Sequence, residues 1–252
     1  MHYFQIFHLV LRPMWTICKK EWQQFFSNLT GYIIIAVFLV VNGLVLFVFD
    51  DNIFSFGYAT LDKFFQLAPW ILLLLIPAVT MRSFPDEFKS GTFEILQTLP
   101  LTTWQIITGK YWGNLFVVLM ALLPTFLYSV SIQSLADGNG LDVAATTGSY
   151  IGLFFLAAVF TAIGICAGSF TNNAVIAFII SLIACALPYY GFNAISKLSV
   201  FSGGADYYLE MAGIDFHYNN ISKGVIDTRD MIYFISIIYL LLLITKRNLL
   251  KR

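Results

Sequence analysis

Charge is scarce in this sequence. Only 11% of its 252 residues are Asp, Glu, Lys or Arg, where a soluble globular domain carries about 25%. Hydrophobic residues make up 59% and the mean hydropathy is +0.79. Runs such as YIIIAVFLVVNGLVLFVF (32–49) and MIYFISIIYLLLLI (231–244) leave water no polar face. A soluble fold is therefore excluded. Strict alternation is lacking too. A membrane β-barrel needs strands of about ten residues with alternating polarity, whereas these runs are longer and apolar throughout. Helices that cross a bilayer remain.

The apolar runs also lack ionisable residues. No Asp, Glu, Lys, Arg or His falls in their central parts, yet ion-coupled carriers and proton pumps bury such groups to bind or relay the driving ion. A self-contained secondary transporter is disfavoured on that ground. An intramembrane protease is disfavoured as well, because neither H-E-x-x-H nor a pair of buried acids is present. Cysteines number three, at Cys18, Cys166 and Cys185. None lies in an outer loop, so no disulfide framework is implied, and no Cys/His spacing suits a metal. TGKYW (108–112) has the lysine of a phosphate loop but Trp104 where Gly is needed and Tyr111 where Ser or Thr is needed. This chain is not expected to hydrolyse ATP, and Lys110 reads as a basic anchor at the inner interface. The N-terminus lacks the basic start and apolar stretch of a cleavable signal peptide. Asn28 and Asn220 match a glycosylation pattern that short motifs meet by chance. No nucleic-acid partner is expected.

What is present is six apolar runs, at about Thr30–Phe49, Phe64–Met81, Ile106–Ile132, Ser149–Phe170, Ala174–Phe192 and Met231–Thr245. Each approaches the roughly 20 residues that cross a hydrocarbon core. Basic residues orient them. With both termini inside, the inner pieces hold ten of the fourteen Lys and Arg residues, while the outer pieces hold Lys63, Lys197, Lys223 and Arg229. The positive-inside rule counts basic residues, and ten against four puts the termini and residues 82–105 in the cytosol. Residues 3–27 place Phe4, Phe7, Leu11, Met14, Trp15, Cys18, Trp22 and Phe25 near one helical face. Arg12, Lys19 and Lys20 fall mostly opposite, and Pro13 predicts a kink or a start. Such a helix lies in the headgroup plane.

The sequence thus reads as an all-α integral membrane protein in a single transmembrane domain, 1–252. It comprises an N-terminal interfacial helix (1–29), spans 1–2 (30–81), a cytosolic coupling segment (82–105) and spans 3–5 (106–192). An outer segment (193–229) with short re-entrant helices, span 6 (231–245) and a cytosolic tail (246–252) complete it. GFNAISKLSVF (191–201) is apolar enough to dip back toward the membrane. Asn42, Asn114, Thr161 and Ser181 are expected to hydrogen-bond between helices. In the fourth span Gly148 and Gly152 are four apart, as are Gly164 and Gly168. Small residues at this spacing admit close backbone approach, so these four are expected at helix-packing contacts.

The most polar long stretch is RSFPDEFKSGTFEILQTLP (82–100). Phe84, Phe88, Ile95 and Leu99 recur on one helical face and Glu87, Ser90, Glu94 and Gln97 on another. Gly91 interrupts the helix, Pro100 ends it, and LTT (101–103) supplies a cap for the next. Basic residues, not acids, are drawn to an anionic inner leaflet. Carboxylates here suit a protein partner better than lipid.

The pattern E-x-x-x-G-T-x-E-x-L-x-x-x-P followed by GK, here Glu87, Gly91, Thr92, Glu94, Leu96, Pro100, Gly109 and Lys110, resembles that of ABC-2 type permeases. The outer stretch 206–243 is similar to that of the gliding-motility-associated permease subunit. The resemblance implies a permease subunit of an ATP-driven transporter in a bacterial cytoplasmic membrane, in contact with membrane lipid. It further implies a separate ABC ATPase subunit that binds ATP, a second permease subunit, identical or related, and no cofactor in this chain. Glu87, Gly91, Thr92 and Glu94 are the positions it assigns to coupling with the ATPase. The alternative function is an ATPase-linked anchor or regulator of gliding or secretion machinery without solute transport.

Overall fold

In the computed structural model, described for residues 2–49, 60–136, 140–198, 204–224 and 227–251, every regular element is a helix. Six helical stretches are long and apolar enough to cross a membrane. The chain is an all-α integral membrane protein. The N-terminal helix α1 (His2–Phe26) runs through Pro13 without a break in its assignment, and α2 (Leu29–Phe47) follows after a short elbow. The second crossing, α3 (Asp62–Thr80), contains Pro69 and Pro77. Two short helices come next, α4 (Pro85–Ser90) and α5 (Thr92–Thr98).

The third crossing begins at α6 (Thr103–Leu122), passes through a 3-10 turn at Leu123–Thr125 and continues as α7 (Phe126–Leu135). Its start is set by a capping box: Thr102 Oγ1 accepts from the Gln105 amide and Gln105 Oε1 from the Thr102 amide. The helix therefore begins three residues before the apolar run at 106, and Lys110 lies about two turns inside it.

The fourth crossing, α8 (Val143–Ser169), starts at Asp142, whose side chain accepts from the Ala144 and Ala145 amides. It is the axis of the molecule. Its apolar window is 83% buried, against 22% for the first, fifth and sixth crossings. A helix apolar on all sides belongs in the middle, and its glycines and alanines let neighbours close in.

The fifth crossing, α9 (Ala174–Ala186), widens into a π turn at Leu187–Gly191 and continues as α10 (Phe192–Ser196). Pro188 has no N–H for an i→i−4 bond, and the register loosens there. Residues 192–196 thus prolong the crossing where the sequence suggested a return toward the membrane, and 199–201 lie outside the described residues. Two short helices, α11 (Ala205–Met211) and α12 (Ile214–Ser222), precede the sixth crossing, α13 (Thr228–Leu249). That crossing is longer than the 231–245 run. Asp227 caps its start, and Lys246 and Arg247 face the negative end of its dipole.

The short helices sit at opposite ends of the bundle. Tyr218 of α12 donates to the Phe65 carbonyl (2.7 Å) near the start of α3, and Ser149 of α8 donates to the Ser222 carbonyl (3.0 Å). Burial raises the Tyr218 phenol above its ordinary pKa. His217 Nδ1 lies 2.5 Å from Asp230 Oδ1, and its ring stacks on Tyr233. Helices α4 and α5 follow the other end of α3.

Candidate functional site

Four elements converge where α3 ends. α1 carries Ile17, Cys18 and Glu21 on its buried side, with Trp15 and Trp22 exposed. It lies against α6 at Gly109 and Gly113. A Cβ on Gly109 would come within 2.8 Å of Ile17 Cβ, and one on Gly113 within 2.8 Å of Glu21 Cβ. Only glycine permits that approach, which brings Glu21 against Lys110.

Lys110 has no solvent exposure. Its ammonium has three protons and three acceptors: Glu21 Oε1 at 2.6 Å, the Ser83 carbonyl at 2.6 Å and Glu87 Oε1 at 3.0 Å. The Phe84 ring lies 5.0 Å away. Glu21 Oε2 accepts from Ser83 Oγ at 2.8 Å, and Asn114 Nδ2 donates to Ser83 Oγ (3.2 Å) and to the Lys110 carbonyl (2.8 Å). Lys20, half exposed, donates to Glu87 Oε1 at 2.7 Å. A buried ammonium is tolerable only when fully paired. Here the pairing ties α1, the α3–α4 junction and α6 into one charged clamp.

The four positions that the resemblance assigns to coupling separate on either side of it. Glu87 is only 7% exposed and faces inward. Gly91 has φ +70°, the left-handed conformation that ends α4 and starts α5. No atom lies within 4 Å of a built Cβ, so the constraint at Gly91 is conformational, not steric. Thr92 Oγ1 lies 2.9 Å from Ser90 Oγ and 3.5 Å from the Glu87 carbonyl, closing the turn. Glu94 is exposed. The single face expected to carry Glu87 and Glu94 is therefore split by the turn. Glu87 reaches into the clamp and Glu94 faces outward. Both border a cavity of about 210 Å3 with Phe88, Phe93, Gln97 and Asn172.

The four packing glycines also divide. A Cβ on Gly148 would meet the Ile221 carbonyl at 2.7 Å, and one on Gly152 the Tyr218 ring at 3.3 Å, so both seat α12 on α8. One on Gly164 would lie 2.8 Å from Thr80 Cβ, bringing α3 close. Gly168 has its nearest neighbour, Pro85, at an ordinary 3.5 Å.

Glu21, Ser83 and Asn114 were not singled out for this site from the sequence, and Lys110 is a buried hub where a surface anchor was expected. A signal existed. Glu21 falls seven after Met14 and three after Cys18, on the apolar side of α1, and Gly109 and Gly113 repeat the spacing of the α8 glycines. Of the four polar span residues expected to bond between helices, Asn114 does so, reaching Glu21 of α1 at 3.5 Å. Asn42 and Thr161 donate to carbonyls four residues back, and Ser181 Oγ is buried with no hydrogen bond of standard geometry among the described residues.

The sequence model for "ABC-2 family transporter protein" matches residues 15–198. The chain belongs to the ABC-2 transporter family. It is a membrane permease subunit, and membership implies partnership with an ABC ATPase subunit. The match takes in the second half of α1 and the whole clamp of this ABC-2 permease but ends before 206–243, the stretch similar to the gliding-motility subunit. A comparison with curated proteins finds no match.

Proposed function

We propose that α4 and α5 are the docking handle for the ATPase subunit, and that the clamp carries movement of this handle into α1 and α6. The burial of Lys110 between Glu21, Ser83 and Glu87 supports this reading. A short helix merely resting on a membrane needs no such tie, whereas a lever does. The cavity beside Gly91 offers the exposed carboxylate of Glu94, the amides of Gln97 and Asn172, and the rings of Phe88 and Phe93. A basic side chain of the partner suits that lining. Glu94 makes the docking contact, Gly91 and Thr92 shape the handle, and Glu87 joins it to the spans.

ATP is bound and hydrolysed in the partner, not in this chain, which carries no cofactor. A second permease subunit, identical or related, completes the path through a bacterial cytoplasmic membrane, with both termini in the cytosol. The permease is of the gliding-motility-associated type, in keeping with the similarity of 206–243.

Co-purification tests the handle. Glu94→Arg with Gln97→Arg reverses and crowds the exposed rim without touching the clamp. An exposed ion pair alone contributes about 0–1 kcal/mol, and reversal adds repulsion. The double variant is expected to insert normally and to lose most of the ATPase that co-purifies with the wild type. Undiminished recovery would sink the docking assignment.

A further inference from the structure

At the end of the bundle opposite the clamp, a cavity of about 290 Å3 lies between α3, the π turn and α12. Its lining is graded. Charge sits at the rim: Asp62 is the first residue of α3, Asp215 lies in the first turn of α12, and Lys223 directly follows α12. Aromatic rings sit deeper. Trp70 is eight residues beyond Asp62, about 12 Å along the helix axis, and stacks on Tyr190 with 4.1 Å between centroids. Trp70 is 55% exposed on the flank of the bundle, so the cavity opens sideways as well as outward.

Among the described residues neither Asp62 nor Lys223 forms an ion pair. Asp215 accepts from the amides of Asn193 (3.2 Å) and Asn219 (2.9 Å) but meets no cation. The Tyr190 hydroxyl is buried without a hydrogen-bond partner among the described residues. Two carboxylates, one ammonium and a free phenol around one opening match a ligand carrying both charges. The sideways opening over aromatic rings favours a ligand with an apolar continuation, since interfacial tryptophans and tyrosines mark the headgroup level.

We propose that this cavity binds the phosphoethanolamine headgroup of a phospholipid. Asp62 and Asp215 accept from the primary ammonium, Lys223 pairs with the phosphate, and the acyl chains leave along Trp70. A primary ammonium fits better than a quaternary one. It has three protons for two carboxylates and the Tyr190 oxygen, while the Trp70 and Tyr190 faces are turned to each other, not spread as the walls of a cation cage.

Lipid retention decides it. The full chain is reconstituted in nanodiscs of equal phosphatidylethanolamine and phosphatidylglycerol, and the lipid kept through detergent extraction is counted by native mass spectrometry. The wild type is expected to keep phosphatidylethanolamine over phosphatidylglycerol by roughly tenfold, the scale of one charge-assisted contact. Asp62→Asn should abolish the preference, and Lys223→Gln should lower the retention of both lipids while leaving the preference in place; both positions are exposed. Equal retention of the two lipids by the wild type, or unchanged preference in Asp62→Asn, overturns the site. Equal retention of phosphatidylcholine overturns the primary ammonium, and displacement by soluble phosphoethanolamine overturns the lipid source. A readout free of the rim variants is quenching by phosphatidylethanolamine with brominated chains. Quenching should be stronger in the wild type than in Trp70→Phe, and equal quenching counts against the proposed position.

Discussion

A lysine stays charged at position 110 because three acceptors replace its water. The ammonium meets Glu21, the Ser83 carbonyl and Glu87, and Lys20 supplies a second cation to the same Glu87 oxygen. The compensation is incomplete. Glu87 Oε2 is buried without a donor among the described residues, so the clamp holds an acceptor in reserve. Such networks cost little while intact and much when one member is removed. Lys110→Met keeps the length of the side chain and deletes its charge, leaving two buried carboxylates with the half-exposed Lys20 alone. A loss of about 3–5 kcal/mol is expected, read as a lowered unfolding midpoint in detergent. Lys20→Met removes a half-exposed partner and should cost about 1 kcal/mol or less. Adding Glu21→Gln to Lys110→Met should restore part of the loss, since it removes one of the stranded charges. Equal small shifts for Lys110→Met and Lys20→Met would mean that the buried network carries no stability.

The handle shows which features of an element can be read along a chain. Gly91 interrupts the 82–100 segment in the sequence, and the structure gives the reason as a left-handed residue between α4 and α5. Gly91→Ala meets no atom, so its cost is purely conformational, about 1–2 kcal/mol, and part of it is escaped if the two helices merge into one straight helix. The measurable result is a rise in helicity by circular dichroism of less than one helical turn, together with reduced ATPase recovery. Unchanged recovery would show that the bend is not required for docking. The six crossings, the cap at Thr102 and the packing glycines Gly148, Gly152 and Gly164 were legible because apolar runs, capping residues and small-residue spacing are local signals. The clamp was not, because it joins positions 21, 83, 87 and 110, and no local pattern states which face of α1 meets which face of α6. The acid on the apolar side of α1 was the trace it left. The fifth crossing was read to Phe192, and the helix runs on to Ser196 because a π turn at Leu187–Gly191 absorbs Pro188 without ending it.

For the whole molecule, the structure alters the charge asymmetry that orients the bundle. Ten of the fourteen basic residues are assigned to one side by sequence, but Lys110 is sealed inside the clamp and Lys20 is held by Glu87. Neither is free to sense the membrane potential or the inner leaflet. Discounting both leaves eight against four, and the sign of the rule is unchanged. The fold then fixes what must be on each side. Ser90 ends α4 at the clamp end, Ser134 lies in the last turn of α7, and Asp206 lies in the first turn of α11. All three are exposed, while Cys18, Cys166 and Cys185 are free and buried. Single cysteines at 90, 134 and 206 in a background without the native three can be probed on intact cells with a thiol reagent that does not cross membranes. Positions 134 and 206 should label from outside, and 90 only after the membrane is opened. Labelling at 90 alone would invert the molecule, place α4 and α5 beyond the reach of a cytosolic ATPase, and end the docking proposal with it. Labelling of all three from outside would break the six-crossing count itself, since the end of α4 and the end of α7 are separated by one passage of the chain.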